Sequence, residues 1–420
     1  MGDTFRMLKD CDSLRREIIQ SPQIIGLLEG FTTAVVEVIE RLRGVRKDRE
    51  ILIVHHDDAD GLCSAALTER ALERETFRTE LICLERVYPE VIRKIHSQSK
   101  RTIFYCDIGS SHGDLIADSN QGRNFTVILD HHDPVPGYDP NVFDLNLEHY
   151  GFKGETDFSG ATCCYIFAKG LDEANEDLSY LALTGSCEIP GKLQKLNKTV
   201  LKEGIEGGVV SARGKGFLIN KFGMTTKQLF SYLQILGSVG YYRRGPYLGV
   251  KLALGGMTPE IRTRINELKE ERRIANKRII SGLYREGLKQ SEHIQWFDSG
   301  DAYAGMGTKV VGSICSMLSH RATLVSPKKY LMGFMGVPRE VPGYGLLGEE
   351  LVKVSVRVPK PMQGLIDGAE LPSAVQLLRE ASKGFGIADG HAYAASAVIS
   401  RDKRDRFLEN LERVIGRYSR

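Results

Sequence analysis

The sequence lacks the features that would place it in a bilayer or an extracellular scaffold. No apolar run in it approaches the ~20 residues needed to span a membrane as a helix, so no membrane partner is expected. Met1 to Arg16 hold no apolar segment of the secretory kind, and a cytoplasmic location is expected. None of the eight cysteines (Cys11, Cys63, Cys83, Cys106, Cys163, Cys164, Cys187 and Cys315) is spaced C-x-x-C, which argues against a zinc knuckle. Several lie in apolar stretches and read as reduced core thiols of a reducing compartment. The formal net charge of +3 is too small to signal nucleic-acid binding by itself, so any such footprint must come from local clustering. There is no long repeat and no low-complexity tail. The remaining composition, 42% hydrophobic and 26% charged, is that of a soluble globular protein. At 420 residues the chain is too long for one ordinary core, and two domains are expected.

Three stretches share one build. Ile51-Leu52-Ile53-Val54 runs into His55-His56-Asp57-Asp58-Ala59-Asp60-Gly61. Thr102-Ile103-Phe104-Tyr105-Cys106 runs into Asp107-Ile108-Gly109. Thr126-Val127-Ile128-Leu129 runs into Asp130-His131-His132-Asp133-Pro134. Each reads as a buried strand ending in carboxylates and imidazoles. Between them the pattern predicts helices over about 61–75, 89–97 and 112–119, and further strands over 81–84 and 142–147. Repeated β-α-β units of this length imply a parallel sheet with right-handed crossovers. The C-terminal strand ends of such a sheet face one ligand-binding crevice.

The flanking regions are read as follows. Residues 1–47 are helical, broken at Pro22, and form a cover. Helices dominate from Ser159 to Leu201. The glycine-rich middle, 204–256, gives mixed signals. Its Tyr241-Tyr242-Arg243-Arg244-Gly245-Pro246-Tyr247 is either a turn with snorkelling arginines or a set of rings and cations able to stack bases and meet phosphates. Thr258-Pro259-Glu260 starts a helix that runs to about 286. Arg262, Arg264, Lys269, Arg272, Arg273, Lys277 and Arg278 give it either a solvated face or the basic lining of a channel. A second α/β unit follows Gly300, with strands over 330–337 and 351–358, a helix over 371–381, a glycine-rich turn over 384–391 and a C-terminal helix over 403–418.

The three strand ends together supply what two divalent cations need. His56, Asp58 and Asp60, spaced by two, fall on one side of a strand end. Asp107 is placed to bridge two ions, His131 to add an imidazole, and Asp130 to orient a neighbouring histidine. Oxygen and imidazole ligands without thiolate suit manganese or magnesium. Two such ions, about 3.5–4 Å apart, serve phosphoester hydrolysis, with His132 left to meet the scissile phosphate or protonate the leaving group. Any one cluster alone would read as turns and helix caps. Three clusters on successive strands read as a convergent site.

His56-x-Asp58-x-Asp60-Gly61, then Asp107, then Asp130-His131-His132 resemble the first three motifs of the DHH phosphoesterase superfamily. Asp389-Gly390-His391-x-x-Ala394-Ala395 resembles the Gly-Gly-His signature of its associated substrate domain, and Ser355-Val356-Arg357 that domain's Ser-x-Arg strand. The branch most similar is that of the RecJ-type single-strand exonucleases, in particular the compact archaeal ones. The resemblance implies a parallel-sheet α/β DHH domain joined by a long helix to a smaller α/β DHH-associated domain, here 1–256, 257–292 and 293–420. It implies two Mn2+ or Mg2+ ions held by His56, Asp58, Asp60, Asp107 and His131. It places His132 at the phosphate and lets Ser355, Arg357, Gly390 and His391 grip a strand end. Where the family has a fourth-motif Asp, the nearest carboxylate here is Glu188, so either Glu188 is the last metal ligand or that ligand is missing. Asp389 replaces a glycine of the signature.

The expected activity is removal of nucleotides from single-stranded DNA or RNA in replication or repair. The alternatives are a RecJ-like scaffold of a replisome (GINS) or helicase assembly, and a phosphodiesterase or phosphatase for very short oligonucleotides.

Overall fold

The structure, a computed structural model, describes residues 22–418 except Lys215. The helical stretch expected before Pro22, and Cys11 within it, lie outside the described residues. The chain divides into two compact units. One runs to Gly237 and takes in Arg244–Thr263; the other holds Ser238–Arg243 and the chain from Arg264 onward.

In the first unit, helix α1 (Pro22–Arg43) precedes strand β1 (Glu50–His56), α2 (Ala59–Arg74), β2 (Arg78–Leu84), α3 (Pro89–Ile95), β3 (Thr102–Cys106), α4 (Gly113–Asn120), β4 (Phe125–Leu129) and β5 (Val142–Asp144). Ile51, Leu52, Ile53 and Val54 are all fully buried, as a continuous apolar run must be when its sheet is covered on both faces. The five strands lie in the order β2-β1-β3-β4-β5, all parallel. The chain steps from β1 out to β2 and returns on the other side of β1 as β3. The loops after β1 and β3 therefore part at a topological switch point, where open α/β sheets bind ligands. Register sets the level of the crevice floor. His55 pairs with Cys106, and Cys106 with Leu129, so His56, Asp107 and Asp130 leave their strands side by side.

Helices α5 (Gly160–Leu171), α6 (Ser179–Gly185) and α7 (Lys195–Glu206) follow. The middle that gave mixed signals is an antiparallel meander of β6 (Val210–Arg213), β7 (Gly216–Ile219) and β8 (Met224–Thr225), then α8 (Thr226–Gln234) with a full capping box from Thr225 and Gln228. A π turn over Ile235–Val239 leads towards α9 (Gly245–Gly255). Its Gly237 is required by close approach: a Cβ there would lie 1.7 Å from the Asp57 carbonyl oxygen.

Helix α10 (Pro259–Glu286) has the expected bounds, and the division between the units falls within it. Arg264 and Arg273 on it form ion pairs three residues away, with Glu267 and Glu270. The second unit continues with β9 (Lys289–Gln290), β10 (Ile294–Asp298), α11 (Lys309–Leu318), β11 (Tyr330–Val337), the β12–β13 hairpin (Glu340–Val341, Gly345–Leu346), β14 (Leu351–Arg357), α12 (Gln363–Asp367), α13 (Ala374–Ala381), β15 (Gly386–Gly390), β16 (Ala394–Ser400) and α14 (Arg404–Ile415). Its mixed sheet has the order β15-β16-β14-β11-β10-β9. Val352, Val354, Val356, Ala395, Ala397 and Ile399 bury one face together with Leu377 of α13 and Phe407 and Leu411 of α14. By strand alternation Lys353, Ser355 and Arg357 take the opposite face. Residues 386–390, expected within a turn, form the edge strand β15. The glycine content misled because Gly386 and Gly390 pack directly on β16: a Cβ on either would lie within 2.7 Å of its atoms.

Candidate metal centre

The residues that leave β1, β3 and β4 converge. Asp107 stands at the centre in a left-handed conformation, φ 60°, uncommon outside glycine and tolerated best by Asn and Asp. It is buried, and its two carboxylate oxygens serve different sides. Oδ2 lies 3.5 Å from His56 Nδ1, which is also 3.1 Å from Asp58 Oδ2. Oδ1 lies 3.3 Å from His131 Nε2. Asp107 thus belongs to two ligand groups, His56–Asp58–Asp107 and Asp107–His131–His132, each offering one atom per residue, all within 4.8 Å of one another.

Hydrogen bonds fix which ring nitrogens face inward. His131 Nδ1 lies 3.0 Å from the Gly154 carbonyl. A carbonyl only accepts, so Nδ1 carries the hydrogen, and a neutral ring then turns the bare Nε2 on Asp107. His56 Nε2 lies 3.3 Å from the Glu85 carbonyl, which leaves Nδ1 to face Asp58 and Asp107. Lone pairs aimed at carboxylate oxygens over 3.1–3.5 Å repel unless a proton or a cation lies among them. Asp107 Oδ1 is buried and accepts no hydrogen bond. An octahedral ion with bonds of about 2.1 Å separates neighbouring ligand atoms by roughly 3 Å and opposite ones by roughly 4 Å. The residues present therefore fit divalent cations, with Asp107 able to join both groups.

The outer residues hold this arrangement. Asp130 is fully buried. Its Oδ1 accepts from the backbone N–H of His131 (2.7 Å) and lies 2.7 Å from His132 Nδ1, while Oδ2 accepts from Ser110 N–H (2.9 Å). Burial alone would raise the Asp130 carboxyl, but the His132 and His131 charges and the Ser110 bond hold it well below the usual range. Partial desolvation lowers the His132 pKa, and the neighbouring Asp130 carboxylate outweighs it, so the ring's pKa is raised. His131 is raised further, the carboxylates of Asp107, Asp60 and Asp130 again overcoming burial.

Asp60 has a different setting from Asp58. Asp58 caps its own helix by accepting from Gly61 N–H (2.9 Å). Asp60 caps another: it accepts from Gly160 N–H (2.8 Å), Ala161 N–H (3.0 Å) and Ser159 Oγ (3.1 Å) at the start of α5. Its Oδ2 remains 3.8 Å from His131 Nε2. Burial, and then the Asp107 charge, raise its pKa well above normal. Glu188 ends the short turn after α6 and is exposed; its charge reaches Asp60. Sequence reading missed Gly154, which holds His131, and the Ser159–Ala161 segment. Ser-Gly ahead of the apolar run of α5 is the one signal that could have found the latter, as a helix start.

The remaining expected site residues lie in the second unit. Ser355 is buried on β14. The Arg357 guanidinium is taken up by Ser316 Oγ (2.8 Å), the Val356 carbonyl (2.8 Å) and the Gly312 carbonyl (3.1 Å). Gly390 has φ 126° and sits against Ala395. His391 is exposed and donates its backbone N–H to Ala394 O (2.8 Å). Asp389 turns towards β16: Ser396 Oγ donates to it (2.7 Å) and itself accepts from the buried Lys353 ammonium (2.9 Å).

A doubly wound α/β domain with a histidine–carboxylate crevice at its switch point defines the class. Residues 50–186 match the DHH family N-terminal domain. The chain thus holds a region that matches this DHH domain, within a RecJ-like fold. It is 30% identical over 190 residues to an uncharacterized protein of Methanocaldococcus jannaschii; the match covers 43% of this chain and 41% of that one, so the chain spans well under half of this relative's length. Its fold is similar to that of a manganese-bound exonuclease RecJ, with a TM-score of 0.60 at 18% identity over 93% of this chain and 94% of that one. It is also similar to CDC45 from Entamoeba histolytica, with a TM-score of 0.57 at 12% identity over 91% and 99%. Among the described residues no helix is long and apolar enough to cross a membrane.

Proposed function

We propose that the chain is a manganese- or magnesium-dependent phosphodiesterase that removes nucleotides from single-stranded DNA or RNA. The observation that carries this is Asp107, whose two oxygens face two separate histidine-bearing ligand groups. His56, Asp58, Asp107 and His131 would hold two ions, with Asp60 at His131 and Glu188 as the fourth-motif ligand. When bound, such ions stabilise the negative charge that builds on phosphoryl oxygens. The chain's own residues do the rest. Asp130 holds His132 by Nδ1, which fixes the ring and leaves Nε2 to donate to a phosphate oxygen or to the departing oxygen. In this reading residues 1–256 are the catalytic domain, 257–292 the connector, and 293–420 the substrate-binding domain, with Ser355, Gly390 and His391 at the strand end and Arg357 bracing that region. The similarity to an exonuclease RecJ supports it.

A second reading, a scaffold in a replisome or helicase assembly, draws on the similarity to CDC45 and on Glu188 standing where a shorter Asp is expected. Digestion of single strands of graded length with manganese separates the readings. The nuclease shortens long strands stepwise. Cleavage confined to dinucleotides marks a short-oligonucleotide phosphodiesterase, and intact strands at every length mark the scaffold.

A further inference from the structure

The stretch Tyr241–Tyr247, noted for its rings and arginines, is split by the fold. Tyr241 is buried with the Tyr242 ring edge-on to it, and Arg243 is ion-paired with Glu271; all four residues belong to the second unit. Arg244 and Tyr247 belong to the first. Arg244 caps α9 at φ 60°, a left-handed conformation that a non-glycine residue holds only when its surroundings impose it. Its guanidinium carbon is 5.0 Å from the centroid of the Tyr247 ring, and Lys251 Nζ is 4.4 Å from the same centroid. The ring is 47% exposed, and both cations are exposed. Among the described residues neither cation has an acidic partner, and α9 carries no acid at all.

An exposed ring between two uncompensated cations matches a nucleotide better than a protein surface. A base stacks on the ring, and the two long side chains swing from the ring to the phosphates on either side. Arg244 and Lys251 span about 10 Å along the helix, enough to bracket one stacked nucleotide. The helix that carries the patch packs with its opposite face on the metal centre's own scaffold. Gly249 of α9 lies on α2, where a Cβ would be 2.7 Å from Leu62 Cδ1, and Leu62 is one turn along α2 from Asp58.

We propose that Arg244, Tyr247 and Lys251 form a single-strand nucleic-acid subsite that stacks one base and neutralises its flanking phosphates. This rests on the single-strand reading above. The test is fluorescence anisotropy of labelled single-stranded DNA and RNA on the full chain, in EDTA to stop digestion, with oligo-aspartate of equal charge as a second probe. Tyr247→Ala should weaken strand binding about 5- to 100-fold. Lys251→Gln should lower the salt slope by about 0.7. Arg244→Gly, which relieves the left-handed backbone and preserves α9, should weaken binding as well. Strand affinity unchanged in all three variants overturns the proposal. So does equal loss of strand and oligo-aspartate on Tyr247→Ala, which would mark an acidic protein partner. Dinucleotide hydrolysis with manganese separates this from the nuclease reading. If the wild type shows no hydrolysis but strand binding depends on the patch, only the nuclease reading falls. If hydrolysis is intact and binding is indifferent to the patch, only the subsite falls.

Discussion

His131 Nε2 lies 3.3 Å from Asp107 Oδ1 while its Nδ1 is committed to the Gly154 carbonyl. This pair predicts that manganese stabilises the fold through Asp107. Ligand at a hundred times its dissociation constant adds about 2.7 kcal/mol to unfolding. Thermal melts of the wild type should rise on manganese titration, whereas Asp107→Asn should stay flat and start no lower, since it removes a buried repulsive carboxylate.

Asp60 bonds two backbone N–H groups of α5. Asp60→Ala should destabilise the metal-free protein by about 1–3 kcal/mol, by leaving buried donors unmade and removing a cap. Asp60→Asn, which keeps one acceptor, should cost less. Denaturant midpoints measured in EDTA check the order.

At Gly160 a Cβ would lie 2.3 Å from Asp107 Oδ1. Gly160→Ala should therefore displace the Asp107 carboxylate and, under the proposed function, lower hydrolysis by at least about tenfold for a stability cost of about 1–3 kcal/mol. Activity and melting temperature measured on the same preparation would separate the two effects.

Glu412 on α14 accepts from Ser291 Oγ and His293 N–H, and lies 2.7 Å from His293 Nδ1. Burial would raise its pKa, and these partners outweigh burial and lower it. A depressed carboxyl stabilises the fold above its unfolded value of about 4.3 and stops doing so as pH falls through the folded value. Wild type should exceed Glu412→Gln in stability at neutral pH, and the difference should close in acid. Urea melts at the two pH values report it.

The parallel sheet and the histidine- and carboxylate-bearing ends of three of its strands are legible in the sequence because the apolar runs Ile51–Val54, Ile103–Cys106 and Val127–Leu129 stop where the polar clusters begin. Helix α10 is legible from its cap and its spacing. Other features depend on partners distant in sequence. Asp58 and Asp60 look alike at a spacing of two, yet Asp60 is bound to the start of α5, a hundred residues on. Ser355-Val356-Arg357 does not reveal that the Gly312 carbonyl and Ser316 take up the Arg357 guanidinium. Asp389, an acid where the related signature has glycine, is accommodated through Ser396 and Lys353 on neighbouring strands. Lys251 was passed over because it lies outside the Tyr241–Tyr247 run, although one helix turn brings it back to Tyr247.

The most direct test of the two-group centre is manganese-dependent digestion of end-labelled single-stranded DNA and RNA by the wild type beside Asp107→Ala and Glu188→Ala. A centre joined at Asp107 should give stepwise release of nucleotides in the wild type and lose it in both variants. Digestion that survives Asp107→Ala, or a wild type that leaves every strand intact at saturating manganese, would contradict it.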